Sequence, residues 1–420
     1  MTEMLRHIDK KPGLIGLGLI GFMSLAGLVG CSDDLETVTD AVTVNIEAQT
    51  CSSAFVEEGQ DSESRDDSPL TRAWTLPSGF FTFAETFGAD GLFKDQKDMV
   101  NKSIDVFFTQ DGTDTQEGIL YYNEVSGTWN LNNKDVKGSS TPYQLYGYIP
   151  KEDAEGATIT ANGTFSNGAV LKINGLNTVT PSDVCVIVGA KDGNDDGNNY
   201  NEASPYTVTG LSTGKFDVKF NSGDGAKNYI FLLFDHLYSS LRFSFKVADT
   251  YYALRTIKLK KLELIAYANE SGGGVRAKYN ATITLRKNDA GTSPIVGTVT
   301  FTADNSSAYV APTPLYEGDG LKLTNTTSEF LGCFVPGVNT YFKLRSTYDV
   351  YDKNVTATNP DGNLIRQNCQ AENTIDLRAK FETSSSMRGH CYKYEITVQP
   401  TYLYVLSDPD LDNPTLRIEN

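Results

Sequence analysis

Histidine is nearly missing from this sequence. It occurs three times, as His7, His236 and His390, and His7 falls in an N-terminal stretch that reads as a targeting signal. His236 has no second histidine near it in sequence, so it reads as a satisfied histidine between a strand and a turn rather than as a ligand. No HExxH, GxSxG or P-loop occurs, and no GxGxxG stands between a strand and a helix. The 53 acidic residues are scattered through loops, so no carboxylate pair is singled out for glycosidase-type chemistry. The expectation is a non-enzyme without a cofactor or a metal. Basic residues are short too: 36 Lys and Arg against 53 Asp and Glu leave a net charge of −17. That excludes nucleic acid as a partner, because phosphate backbones need basic surface. It predicts a self-repelling surface that faces water.

Cysteine is scarce and does not pair off. Of six, Cys31 belongs to the targeting segment, and an odd set remains: Cys51, Cys185, Cys333, Cys369 and Cys391. This argues against a full disulfide framework, and no spacing forces Cys369 and Cys391 to pair. With no CxxC, a structural zinc site is not expected. Cys185 sits in the apolar run Val184–Val188 and reads as a small buried hydrophobe.

Only the N-terminus carries a long run without charge. Lys10 and Lys11 precede Leu14 to Val29, which is too short for a comfortable membrane span of about 20 residues. It reads as the apolar region of a secretory signal. It ends in Leu28-Val29-Gly30-Cys31, the large-small-small-Cys pattern of a lipobox. The Cys31 thiol then carries acyl chains and begins the mature chain, held to a membrane by about 0.8 kcal/mol per buried CH2.

What is abundant is β-forming sequence punctuated by turns. There are 37 Gly, 22 Tyr and 21 Phe, and no long amphipathic helix. Val42, Val44, Ile46 and Ala48 alternate with polar residues, a half-buried strand by its period of two. Ser52 to Thr71 is a Ser-, Asp- and Glu-rich stretch that cannot bury enough to order itself, an exposed tether in which Arg65 and Arg72 stand as accessible cleavage points. Strands follow at Ile104–Phe108, Ile119–Tyr122, Trp129–Leu131, Tyr143–Ile149, Val170–Ile173 and Val184–Val188. In Thr256–Ala266, Ile257 and Leu259 lie on one parity and Leu262 and Leu264 on the other, which requires a bulge near Lys260-Lys261 or a break between two strands. Val275 to Leu285 alternates, as does Tyr392 to Val398. Tyr402-Leu403-Tyr404-Val405-Leu406 closes the apolar pattern. The turn-rich cluster Asn221–Gly225 suggests a domain boundary. The expected division is 1–30 signal, 31–72 leader strand and tether, 73–225 a first β-sandwich and 226–420 a second. Two acidic loops, Asp192–Gly197 and Asp408–Asn413, have partial calcium-loop spacing and read as solvated turns.

Taken in order, four groups of residues resemble the Bacteroidetes fimbrillin family, the subunits of type V pili. They are the lipobox with the acidic follower Ser32-Asp33-Asp34 and a leader ending in Thr71-Arg72-Ala73; Ile104–Phe108 with Trp129 and Tyr143–Pro150; Asp183–Ala190 with Phe234–Phe243; and Gly389–Tyr394. The resemblance implies two tandem transthyretin-like β-sandwiches in an all-β protein. It implies a lipoprotein exported to the outer face of the outer membrane, and a fimbrium after processing. It implies partners: an Arg-specific protease that cuts after Arg72 or Arg65, other pilin subunits that fill the vacated groove by strand addition, and a host or bacterial surface ligand. Tyr402–Leu406, with Leu416–Ile418, is the candidate donor strand; the same stretch also fits an ordinary last strand of its own sheet. The polar Asp408–Pro414 tail departs from a long donor. The rival reading is a monomeric glycan-binding surface lipoprotein whose leader stays intact, with its Tyr and Trp stacking on sugars.

Overall fold

The computed structural model describes residues 42–50, 54–56, 102–110, 114–123, 128–132, 136, 141–192, 214–220, 228–269, 271–286, 296–337, 341–377, 388–399 and 415–417. All of these fall in the compact unit Asp40–Asn420. The fold is all-β, as expected: among the described residues twenty-two strands are joined by turns, a 3-10 turn at Lys151–Asp153 and a short helix, α1 (Asp249–Tyr252). Among the described residues no helix is long and apolar enough to cross a membrane.

Sheet A contains β1 (Val42–Thr50), β3 (Ser103–Gln110), β4 (Asp114–Asn123), β5 (Thr128–Asn132), β6 (Tyr143–Ile149), β10 (Cys185–Asp192), β11 (Asp217–Val218) and β12 (Asn228–His236). Its order is β10-β12-β1-β5-β4-β3-β6-β11, and β10 also pairs with β6. The pairings therefore close on themselves: β10, β12, β1, β5, β4, β3 and β6 form a ring, sealed by Cys185 opposite Ile149 and Val186 opposite Tyr148. Sheet C lies on it, in the order β16 (Val296–Ala303), β15 (Lys278–Arg286), β8 (Thr164–Asn177), β7 (Gly156–Asn162). Tyr146 of β6 joins the two layers. Its ring meets Phe165 of β8 at 6.3 Å, and its hydroxyl donates to the Phe165 carbonyl at 2.8 Å.

Sheet B runs β2 (Ala54–Val56), β21 (His390–Val398), β13 (Ser239–Val247), β18 (Ser328–Phe334), β9 (Val179–Thr180), with β22 (Thr415–Arg417) also on β21. It packs on sheet D, in the order β17 (Thr313–Leu323), β14 (Thr256–Tyr267), β19 (Tyr341–Tyr351), β20 (Leu364–Asp376). Phe330 of β18 meets Tyr316 of β17 edge-on at 5.9 Å, and Phe334 meets Phe342 of β19 at 4.7 Å. Gly332 is what allows this approach. A Cβ there would sit 2.7 Å from the Leu264 side chain of β14.

Local periodicity sets the strands. In β15, Tyr279, Ala281, Ile283 and Leu285 are buried and their neighbours less so. Of the bulge or break expected in β14, the bulge is present: Leu259 faces Tyr348 and Lys261 faces Thr347, leaving Lys260 as the extra residue against β19. Burial on both faces erases the alternation expected elsewhere. Ser103–Thr109 are all buried, and so are Glu395 and Thr397 of β21, which were expected to face outward.

Strand pairing also crosses residue 225 repeatedly. β12 lies in sheet A beside β10, β15 pairs with β8, and β18 pairs with β9. The expected boundary between 225 and 226 thus coincides with no sheet edge. The turn cluster is a local feature, whereas pairing is decided by where distant strands meet.

Candidate functional site

The leader strand β1 is not at an edge. Val44–Thr50 run parallel to Asn228–Phe234 of β12, and Val42–Val44 run antiparallel to Leu131–Trp129 of β5. The sequence folds this way because an alternating β-branched segment finds two open strand edges at once. On one side stands the apolar wall of β12, where Ile230, Leu232, Leu233 and Phe234 are buried. If β1 were absent, β12 and β5 would each present an unpaired row of backbone N–H and C=O groups.

The leader continues into sheet B. Ala54–Val56 (β2) run parallel to His390–Tyr392, on the outer edge of β21. The tail shares that edge, since Thr415–Arg417 (β22) pair antiparallel with Thr397–Glu395. The second strand of the leader and the tail therefore lie in line along β21, β2 at its start and β22 near its finish.

The two sheets meet beside the leader's exit from sheet A, where β12 ends at His236 and β13 begins at Ser239. This junction is polar and enclosed. His236 Nδ1 lies 2.5 Å from Asp183 Oδ2, and Cys185 Sγ lies 3.4 Å from the same oxygen and 3.5 Å from Nδ1. Cys185 and His236 are cross-strand partners. Arg388, just before β21, donates to Asp235 Oδ2 at 2.7 Å and to the His236 carbonyl at 2.6 Å. Burial, and then the Asp183 charge, push the Cys185 thiol well above its ordinary pKa. Burial also raises Cys391, to about 12, although a hydrogen bond with Ser240 acts against it. Cys185, Cys333, Cys369 and Cys391 are all free thiols, so Cys369 and Cys391 do not pair.

Of the residues expected to matter, Cys31, Arg65, Arg72 and Tyr402–Leu406 lie outside the described residues, as do Gly193–Gly197 and Asp408–Asn413 of the two acidic loops. Leu416 lies in β22, on its own chain's sheet. The grouping of Asp183 and Cys185 with His236 was missed by sequence reasoning. Cys185 and His236 stand 51 positions apart, and only strand pairing brings them together.

No known protein family matches the chain, and no curated protein does. Solved structures do. A proposed cell adhesion protein from Bacteroides fragilis is 11% identical, with 90% of this chain and 97% of that one covered at a TM-score of 0.35. The fimbrial anchor protein Mfa2 from Porphyromonas gingivalis is 10% identical, with 89% and 95% covered at 0.21. Proposed polysaccharide binding proteins from Bacteroides thetaiotaomicron are 8% identical, with 76% and 90% covered at 0.23. These neighbours are adhesion, fimbrial and polysaccharide-binding proteins of Bacteroides and its relatives. All three superpositions are loose, so the functional reading rests on the strand pairing.

Proposed function

We propose that the chain is a surface-displayed, fimbrillin-like lipoprotein, a structural or adhesive subunit of a type V pilus whose leader is a removable strand. The observation that carries this reading is the insertion of β1 between β12 and β5 in a closed ring of pairings. Lipid on Cys31 holds the precursor at the outer membrane. An Arg-specific protease cuts the tether after Arg72, or after Arg65. Loss of β1 leaves a slot whose two backbone edges demand a strand, and a strand from another subunit supplies it. Tyr402–Leu406 is the candidate donor. Among the described residues of the tail beyond it, the three of β22 pair with its own sheet, a contact short enough to release. The reading is non-enzymatic: the one Asp-Cys-His group among the described residues is buried, and its thiol is held in the protonated form.

The test is the N-terminus and mass of the protein recovered from cell surfaces and from sheared fibres. A chain beginning at Ala73, or just after Arg65, in fibres supports the proposal. A chain that begins only at acylated Cys31 and remains monomeric overturns it and leaves the glycan-binding lipoprotein.

A further inference from the structure

Three different ligand types converge on one point at the sheet junction. The triangle of Asp183 Oδ2, Cys185 Sγ and His236 Nδ1 has sides of 2.5, 3.4 and 3.5 Å. A tetrahedral zinc ion with ligands at about 2.0–2.3 Å places such atoms about 3.3–3.6 Å apart. Both sulfur distances already match, and the His–Asp contact opens by less than 1 Å to meet the rest. All three residues are at most 3% exposed. A second observation points the same way. Asp183 Oδ1, the other oxygen of that carboxylate, is buried without a hydrogen-bond partner, which is a costly state for an isolated acceptor.

We propose that Asp183, Cys185 and His236 form a buried zinc site, the Asp183 carboxylate closing on the ion through both of its oxygens so that three residues fill a distorted four-coordinate shell. Charge supports a dication: a thiolate, a carboxylate and a neutral imidazole sum to −2, so the occupied site is neutral in a core that penalises net charge. The sulfur and nitrogen donors select zinc over calcium and magnesium, which take oxygen. On binding, the metal takes the place of the thiol proton and of the proton shared between Nδ1 and Oδ2, and both are released. The mounting is rigid. Cys185 opens β10, His236 closes β12, and the Leu237 N–H donates to the Val184 carbonyl at 2.8 Å. The ion would staple β10 to β12, the strand that lines the leader's slot.

The full-length protein, stripped with chelator and then titrated with zinc or cobalt, tests this. Retention of one equivalent of zinc through gel filtration is expected. So is a rise in Tm of roughly 5 °C at a hundredfold excess over Kd. Cobalt should give the visible bands of a four-coordinate ion and a sulfur-to-cobalt band in the near ultraviolet. Cys185→Ser should lose that ultraviolet band, while Cys333→Ser, which alters a buried thiol outside the triangle, should keep it. A folded wild-type protein that retains no metal and shows no Tm change overturns the site. So does an ultraviolet band that survives Cys185→Ser or vanishes in Cys333→Ser.

Discussion

Asp105 shows how much one buried charge leans on its partner. It is fully enclosed in β3, and burial pushes its carboxyl above the ordinary range while Lys151 pulls it part of the way back. Lys151 Nζ sits 3.0 Å from it and 3.2 Å from Glu117. Lys151→Ala strands the carboxylate. The expected loss at neutral pH is about 2 kcal/mol, below the usual figure for a fully buried pair because Lys151 is partly exposed. The pH dependence follows from the sign. A carboxyl raised in the folded state binds its proton more tightly there, so its penalty is absent below the unfolded pKa and grows as pH rises through the folded value. Removing Lys151 raises that value further. The Tm gap between wild type and variant should therefore narrow as pH falls from neutral toward the ordinary carboxylate range. A gap that stays constant or widens on acidification would show that Lys151 acts through packing.

Among the elements, β14 was legible in the sequence as a parity slip near Lys260-Lys261 that a bulge or a break could satisfy, and the structure has the bulge. Its parity slip between Leu259 and Leu262 has one physical remedy within a continuous strand, an extra residue, and Lys260 is that residue. This makes a deletion tolerable. Without Lys260, Ile257, Leu259, Leu262 and Leu264 fall on one regular parity and β14 pairs one-to-one with β19. On the β19 side the loss is limited to surface contacts of Lys260 with Asn368 at 2.9 Å and Asp349 at 3.6 Å, worth about 1 kcal/mol or less, and on the other side the deletion meets β17 at Gly318–Gly320, where the register already shifts. Deleting Thr282 from β15 does the opposite, because it turns half of the Tyr279–Leu285 set to the wrong face. Thermal melts should find the Lys260 deletion folded within a few degrees of wild type and the Thr282 deletion unfolded; equal damage from both would refute the bulge argument. Pairing partners were not legible in the same way. Nothing local in Val170–Ile173 announces Ala281–Thr284 as its neighbour, and nothing near Cys185 announces His236. Those meetings depend on how the whole set of strands closes, not on any period. The turn-rich cluster Asn221–Gly225 lies outside the described residues, and nothing in it announces that β12 pairs with β10 in sheet A.

At the scale of the whole molecule, the ring of sheet A ties the leader to everything else. Six strands of the ring come from residues 103–236, and β1 is the seventh, contributed by a segment far upstream. A closed ring has no free edge, so under the proposed assembly the chain that keeps β1 is protected from the pairing that loss of β1 would invite. The proposed assembly then needs the leader to depart, and that departure can be blocked. Val44 and Asn228 are register partners of β1 and β12. Neighbouring strands lie about 4.8 Å apart, inside the disulfide window of about 4.4–6.8 Å between Cα atoms. A Val44→Cys, Asn228→Cys double variant, oxidised, should still be cut in its tether by an Arg-specific protease. The leader would nevertheless remain attached, released on a gel only after reduction. Fibres should be absent under oxidising conditions and appear on adding reductant, while the single Val44→Cys variant assembles in both. The register partner matters to the design: Asn228 stands at the mouth of β12, so the cross-link leaves the buried Ile230, Leu232, Leu233 and Phe234 untouched. If the fully cross-linked protein forms fibres as readily as the reduced one, subunits join without vacating the β1 slot, and strand exchange is not how this protein polymerises.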